Sequence, residues 1–446
     1  MADTLLFLMS PAKGHLNATF GLARSAAHQG DRVVYGLPSE LHPYVSVVGF
    51  ECVRLESFPF ALNGEQLLDK YTTHQRIKYL DNLLDRFYDT FFDHRRKTLI
   101  AVLEQIKPQI VFLDSFQSTD FIILYPELKR RKTKFAFVQT MLSLHQQPDN
   151  LPLFCDIVPN QKTNFRFYWQ KYYFVRYLKK TWNNFLFLGR NNQSMVKRKF
   201  YQQGVPEKYL FDYQQTHRVG FKNIPEFILS PSELEFCKTK LPYQYYVGSW
   251  IDWQRKQNYD KRVDEILDNL SPGNKLIYCS LGTIYSVVGN RNTIIHFYKQ
   301  LAAVAQKLTQ CIFIINLTQE YAKEIGGWPS NVYIFEEVPQ LIVLKKSAVF
   351  VTHGGLNSVK EALELIVPLL AYPVDKRFEQ PSNAAKIVFN GLGLKGNLRR
   401  ETHVSMLKKI ERLLGEGQFK ENIQKFNNSV SSFLPLAEIK EKTILF

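Results

Sequence analysis

No stretch of this chain holds roughly eighteen consecutive apolar residues, the length that crosses a bilayer as a helix, so no membrane-spanning segment is expected. Cysteine is scarce. The five present (Cys52, Cys155, Cys237, Cys279, Cys311) have no metal-like spacing and cannot all pair, which predicts a reduced, cytoplasmic setting. The opening MADTLLFLMSPAKGH has no basic segment before its short apolar run and reads as a first strand, not a signal peptide. No internal repeat or low-complexity tract occurs, and a hydrophobic content of 45% excludes a disordered chain. At 446 residues the chain exceeds one core and is expected to split into two domains.

Negative charge is also missing where it would be noticed. The net charge is +16, and between Ile157 and Pro206 there is no Asp or Glu, against ten Lys or Arg interleaved with Phe, Tyr and Trp. This composition has two readings: a basic helical surface with its aromatics turned inward, or peripheral contact with an anionic membrane through residues 157–206. No recognised nucleic-acid motif accompanies the charge, so no nucleic-acid partner is expected.

Short apolar runs alternate with helical periodicity along the chain. Leu5 to Ser10 reads as a strand, Asn17 to Gln29 as a helix stopped by Gly30, and Arg32 to Leu37 as a second strand, the opening of a doubly wound domain. Glu65 to Ile106 is expected to be helical. Gln109 to Leu113 and Phe135 to Gln139 read as further strands, and the polar stretch Asp252 to Asn274 as a linker. Strands and helices then alternate again from Lys275.

The densest signal lies between Val338 and Ala385. A buried strand (Ala348 to Thr352) runs into His353-Gly354-Gly355, and Asn357 and Ser358 open a helix. Glycines let the backbone approach an anion, and the helix N-terminus favours negative charge, so this turn suits phosphate. His353, Asn357 and Ser358 add donors. Glu361, one turn further along the same face, suits the two hydroxyls of a ribose. The stretch reads as a nucleotide site.

The order VPQ, strand, THGGLNSVKEA, VPLLAYP, Glu379-Gln380 closely resembles the donor-binding signature of the family 1 UDP-sugar glycosyltransferases. That resemblance implies the α/β GT-B fold: two Rossmann-like doubly wound domains facing a cleft. The expected layout is an acceptor domain over 1–250, a linker over 251–274, a nucleotide-sugar domain over 275–420, and a C-terminal helix region (421–446) returning to the first domain.

Transfer from a nucleotide sugar needs an activated acceptor hydroxyl and a stabilised diphosphate leaving group. No Asp-x-Asp metal motif occurs in the chain. Stabilisation is therefore expected from backbone N–H groups, helix dipoles, His353 and Thr283, with no metal and no bound cofactor. His15, after Gly14 at a helix N-terminus, is the candidate general base, and the SPAKGH context resembles the family's opening motif. Asp114, at a strand end, is its candidate partner; its alternative role is a helix cap, and Asp120 is the other candidate. By the resemblance, Val338 and Gln340 of VPQ join the nucleotide site, with Gly14, Gly354 and Gly355. Glu379 and Gln380 correspond to an Asp-Gln pair that holds sugar hydroxyls, and Gln380 points to glucose. Glu337 stands where many relatives carry an aromatic residue that stacks on uracil, which leaves UDP and dTDP donors both open.

The leading expectation is an inverting transferase moving a hexose from a UDP-sugar, UDP-glucose first, to a small hydrophobic or aromatic acceptor. A membrane lipid or carotenoid acceptor is the variant that the basic aromatic segment suggests. A UDP-sugar epimerase and a non-catalytic nucleotide-sugar binder are the readings from other classes.

Overall fold

The computed structural model describes residues 2–61, 78–210, 220–237, 239, 241–282, 285, 289–431 and 433–446. Among them, two separate sheets carry the chain. The first contains β1 (Thr4–Leu8), β2 (Arg32–Leu37), β3 (Glu51–Arg54), β4 (Ile110–Asp114), β5 (Lys134–Gln139), β6 (Glu226–Ile228) and β7 (Gln244–Tyr246). These strands are parallel, in the order β3-β2-β1-β4-β5-β6-β7. The second contains β8 (Lys275–Ser280), β9 (Cys311–Asn316), β10 (Val332–Phe335), β11 (Ser347–Thr352), β12 (Leu369–Ala371) and β13 (Gly393–Lys395), also parallel, in the order β10-β9-β8-β11-β12-β13.

The continuous apolar strands are explained by burial on both faces. In the first sheet Leu6, Leu8, Val34, Val111 and Leu113 join one core cluster. Their alternates Leu5, Phe7, Val33, Ile110 and Phe112 join another on the opposite face. That is the two-residue period of a strand covered by helices on each side.

Several expectations shift in detail. Residues 65–77 of the expected long helix lie outside the described residues, and its remaining part forms two helices, Lys78–Tyr88 and Thr90–Ile106. The linker holds a short helix, Arg262–Asp268, because Val263 and Leu267 have an apolar surface to cover. Residue 421 falls inside the helix Gln418–Ser429, which stays on the second domain through Ile423 and Phe426 and through Asn427 Nδ2 donating to the Leu363 carbonyl. The chain crosses back after it. Leu436 and Ile439 enter the first domain's core, Lys440 pairs with Asp3 and Asp31, and β14 (Ile444–Leu445) joins β5 antiparallel.

In the basic segment the helix Phe165–Leu186 buries Trp169 alone. Its other aromatics are partly or fully exposed, so the inward-facing arrangement is not what forms. Among the described residues no helix is long and apolar enough to cross a membrane.

Buried polar contacts hold the domains together. Lys386 Nζ and Glu235 Oε2 are 2.9 Å apart with both side chains almost wholly buried, and Arg24 of the first domain pairs with Asp252 of the linker segment at 3.0 Å.

Candidate active site

The strand order reverses at one place in each sheet, β1/β4 in the first and β8/β11 in the second. Loops leaving the C-terminal ends of strands on either side of such a reversal diverge and open a crevice. Both crevices face one cleft, a cavity of about 450 Å³ lined by His15, Phe116, Thr140 and Met141 from one side and Gln340, His353, Asn357 and Glu361 from the other.

On the first side, the helix Lys13–His28 carries His15 as its third residue, and β4 ends at Asp114. His15 Nδ1 lies 2.7 Å from Asp114 Oδ2 and 2.9 Å from Thr140 Oγ1. The Phe116 ring packs edge-on against the imidazole at 4.6 Å. Asp114 is fully buried and does two jobs. Its Oδ2 also accepts from the Ser10 N–H, while Oδ1 accepts from the Phe116 N–H and caps the short helix Ser115–Gln117. The orienting and capping readings are therefore both realised by one carboxylate. Asp120 is elsewhere, in a buried fork with Arg95 at 3.0 and 3.1 Å from Nε. Burial raises its pKa and Arg95 opposes the rise.

On the second side the glycines serve His353. A Cβ on Gly282 would come within 2.6 Å of His353 Cε1, and one on Gly355 within 2.5 Å of His353 Nε2. Only two backbones without side chains admit the ring. Its Nδ1 is buried without a hydrogen-bond partner. Burial pushes the imidazole pKa down to about 4, against a smaller upward effect from the Ser280 backbone. His353 is thus a buried neutral imidazole beside a helix N-terminus, and it is the helix terminus that suits an anionic ligand.

Asn357 Nδ2 donates to the Gly14 carbonyl, linking the two loops across the cleft. Glu361 is buried, with Oε2 accepting from Gln340 Nε2 at 2.6 Å and Oε1 from Arg255 Nη1 at 3.0 Å. Gln340 Nε2 also reaches Ser358 Oγ at 3.3 Å. Val338 lines the same end of the cleft, and Glu337 Oε1 pairs there with Lys13 Nζ at 3.2 Å. Thr283 lies outside the described residues.

At the other end, Gln380 Oε1 accepts from the Val374 and Asp375 N–H groups, both at 2.9 Å, which shapes the loop before it and leaves the Nε2 hydrogens as its donors toward the cleft. Glu379 lines the cleft. Burial raises its carboxyl pKa, while a backbone hydrogen bond and the nearby His15 lower it. Asn383 Nδ2 donates to the Gly354 carbonyl at 2.9 Å and steadies the glycine turn.

Sequence reasoning missed three members of this arrangement. Arg255 sits in the segment read as linker, where a charged residue is expected to be solvated. Thr140 lies just past a strand end, and Lys13, two residues before His15, carries no pattern that sets it apart from a surface lysine. Strand-end position alone could have flagged Thr140.

The chain matches the family model described as "UDP-glucoronosyl and UDP-glucosyl transferase" over residues 151–431. It is 26% identical to the uncharacterized UDP-glucosyltransferase YdhE of Bacillus subtilis over 53% of this chain and 59% of that protein. It is 28% identical to UDP-glucuronosyltransferase 3A2 of Mus musculus over 41% of this chain and 34% of that protein. The matches thus span about a third to three-fifths of these two relatives. With the NDP-glycosyltransferase YjiC of Bacillus subtilis the match is 24% identical over 86% of this chain and 82% of that one. Among solved structures, the glycotransferase of kitacinnamycin superposes with a TM-score of 0.70 at 18% identity, covering 99% of each chain. The calicheamicin glycosyltransferase CalG4 superposes with a TM-score of 0.64 at 17% identity, covering 99% of this chain and 98% of that one. This likeness shows the fold, GT-B, with both α/β domains included.

Proposed function

Since the chain belongs to the UDP-glucoronosyl and UDP-glucosyl transferase family, we propose that it moves a hexose from a UDP-sugar to the hydroxyl of a small hydrophobic acceptor. One observation carries the reading: the His15–Asp114 pair and the His353 glycine turn face each other across one cleft, tied by Asn357 and the Gly14 carbonyl.

In this reading Asp114 holds the proton of His15 on Nδ1, which puts the accepting lone pair on Nε2. Nε2 takes the proton of the acceptor hydroxyl as that oxygen bonds to the anomeric carbon. The bond from that carbon to the diphosphate breaks with its electron pair leaving on UDP, and the sugar's configuration inverts. Phe116 and Met141 give the acceptor an apolar wall beside His15. The diphosphate lies against the Gly354-Gly355 turn, where His353, Asn357, Ser358 and the helix N-terminus stabilise the departing charge. Glu361 takes the ribose hydroxyls. Glu379 and the Nε2 of Gln380 take sugar hydroxyls, with glucose the first donor to try. The domain of the first sheet then takes the acceptor, and the domain of the second sheet, with the helix Gln418–Ser429 packed on it, takes the donor. No step calls on a metal.

The test is thermal stabilisation by UDP, dTDP and their sugars, followed by product analysis with and without acceptors. A ligand that binds the native state alone raises the midpoint as ln(1 + [L]/Kd). A UDP-glucose shift with glucosylated product supports the proposal. A converted sugar nucleotide without acceptor would make the protein an epimerase, and binding without any turnover would make it a binder.

A further inference from the structure

The helix Phe165–Leu186 has two unlike faces. One is anchored: Trp169 is buried, its Nε1 donates to the Asn150 carbonyl at 2.8 Å, and Tyr173 OH donates to Gln146 Oε1 at 2.9 Å. The opposite face carries Phe167, Lys171, Phe174, Leu178, Trp182 and Phe185, at steps of four, three, four, four and three. That is the spacing of an apolar stripe made to face a core. Here it faces out. Phe174 and Trp182 are 62% exposed and Phe185 is 74% exposed. At 1.5 Å per residue the stripe runs for about 27 Å. An uncovered apolar surface of that length marks a contact site.

Charge says what the contact is. Arg166, Lys171, Lys179 and Lys180 are exposed around the stripe, and among the described residues none of them pairs with a carboxylate. The segment from Ile157 to Pro206 supplies no acid of its own. A second copy docked on this face by a two-fold axis would bring these cations against themselves. No recognised nucleic-acid motif accompanies the charge. We propose that this helix lies on the surface of an anionic lipid bilayer. Its Phe and Trp rings enter the headgroup boundary while the lysine stems reach back to the lipid phosphates.

The placement also bears on the cleft. The loop anchoring the helix at Gln146 and Asn150 begins at Thr140, whose hydroxyl touches His15. A bilayer-soluble acceptor would enter past Met141 and Phe116. This extension rests on the transferase reading, whereas bilayer binding does not.

The experiment is flotation of the full chain with vesicles of phosphatidylcholine, alone or mixed with phosphatidylglycerol, at low and at high salt. Binding is expected on the anionic vesicles at low salt, with loss at high salt. Trp182→Ser with Phe185→Ser should abolish it, and Lys179→Glu with Lys180→Glu should weaken it by at least about fivefold per reversed charge. All four positions are exposed, so melting should be unchanged. Flotation with neither vesicle, or variants that float as the parent does, would overturn the proposal. So would a dimer in light scattering that the Trp182/Phe185 variant splits, or an oligonucleotide that binds the parent when vesicles do not.

Discussion

Arg255 Nη1 lies 3.0 Å from Glu361 Oε1, joining the inter-domain segment to a carboxylate that lines the second domain's side of the cleft. Both side chains are nearly inaccessible, so the pair cannot be broken without leaving a charge in a dry site. Arg255→Ala should cost roughly 3 kcal/mol of stability. Ribose hydroxyls can donate to the same carboxylate, so saturating UDP should recover part of that loss. Denaturant melts with and without UDP measure both effects. An equal loss in the two conditions would show that ribose does not use Glu361.

Gly355 has an ordinary extended backbone (φ −63°, ψ 135°), so alanine there meets no conformational strain of its own. The obstacle is the His353 ring. Gly355→Ala should destabilise by about 1–3 kcal/mol through overpacking and weaken nucleotide binding. In a His353→Ala background the same change should cost far less, because the colliding ring is gone. A double-mutant cycle on melting midpoints reads this coupling directly.

His15 and Asp114 should separate chemistry from folding. His15→Ala should lower turnover by about 10²–10⁴-fold while UDP still stabilises the protein as before. Asp114→Asn should bring a comparable loss, because an amide cannot hold the proton on Nδ1, together with a stability cost of about 1 kcal/mol from a lost backbone acceptor. Steady-state kinetics with UDP thermal shifts distinguish the two. Full activity in His15→Ala would remove it as the base.

Much of this was legible in the residues. The two doubly wound sheets follow from apolar runs buried on both faces, and the HGG turn with its helix follows from local pattern and glycine chemistry. Long-range pairings were not legible. Arg255 reaches Glu361 from 106 residues away, and Lys386 finds Glu235 across the domain boundary, neither with a periodic signal. The outward stripe of Phe165–Leu186 was half legible. Its composition stood out, but period alone does not tell which of two aromatic faces a domain will cover.

Glu337 is paired with Lys13 on the rim of the cleft, and both side chains are substantially exposed. Such a pair contributes little, so replacing it is cheap. Glu337→Trp would put a flat aromatic face at this position. Base stacking is worth about 1–3 kcal/mol, which corresponds to roughly 5- to 150-fold tighter UDP binding. Calorimetric titration with UDP and dTDP checks it. No gain in either would place the base away from residue 337.

The last prediction concerns pH and rests on His353. In the native protein its pKa is about 4, whereas an unfolded histidine titrates near 6.5. Between those values the unfolded chain binds a proton that the native state refuses. Stability is therefore fully present above about pH 6.5 and falls as pH drops toward 4, by on the order of 3 kcal/mol. Carboxylates add their own acid sensitivity, so the comparison must be internal. His353→Asn removes this titration, and its denaturant midpoint should fall less than the parent's between about pH 7 and about pH 4.5. Parallel loss in the two proteins would mean that His353 titrates normally in the folded state. The outcome reaches the chemistry as well. A histidine held neutral at pH 7 can offer a diphosphate one N–H but no positive charge. The burden of the leaving group then falls on the glycine-turn amides and the helix N-terminus, and Gly355→Ala should slow turnover even in molecules that remain folded.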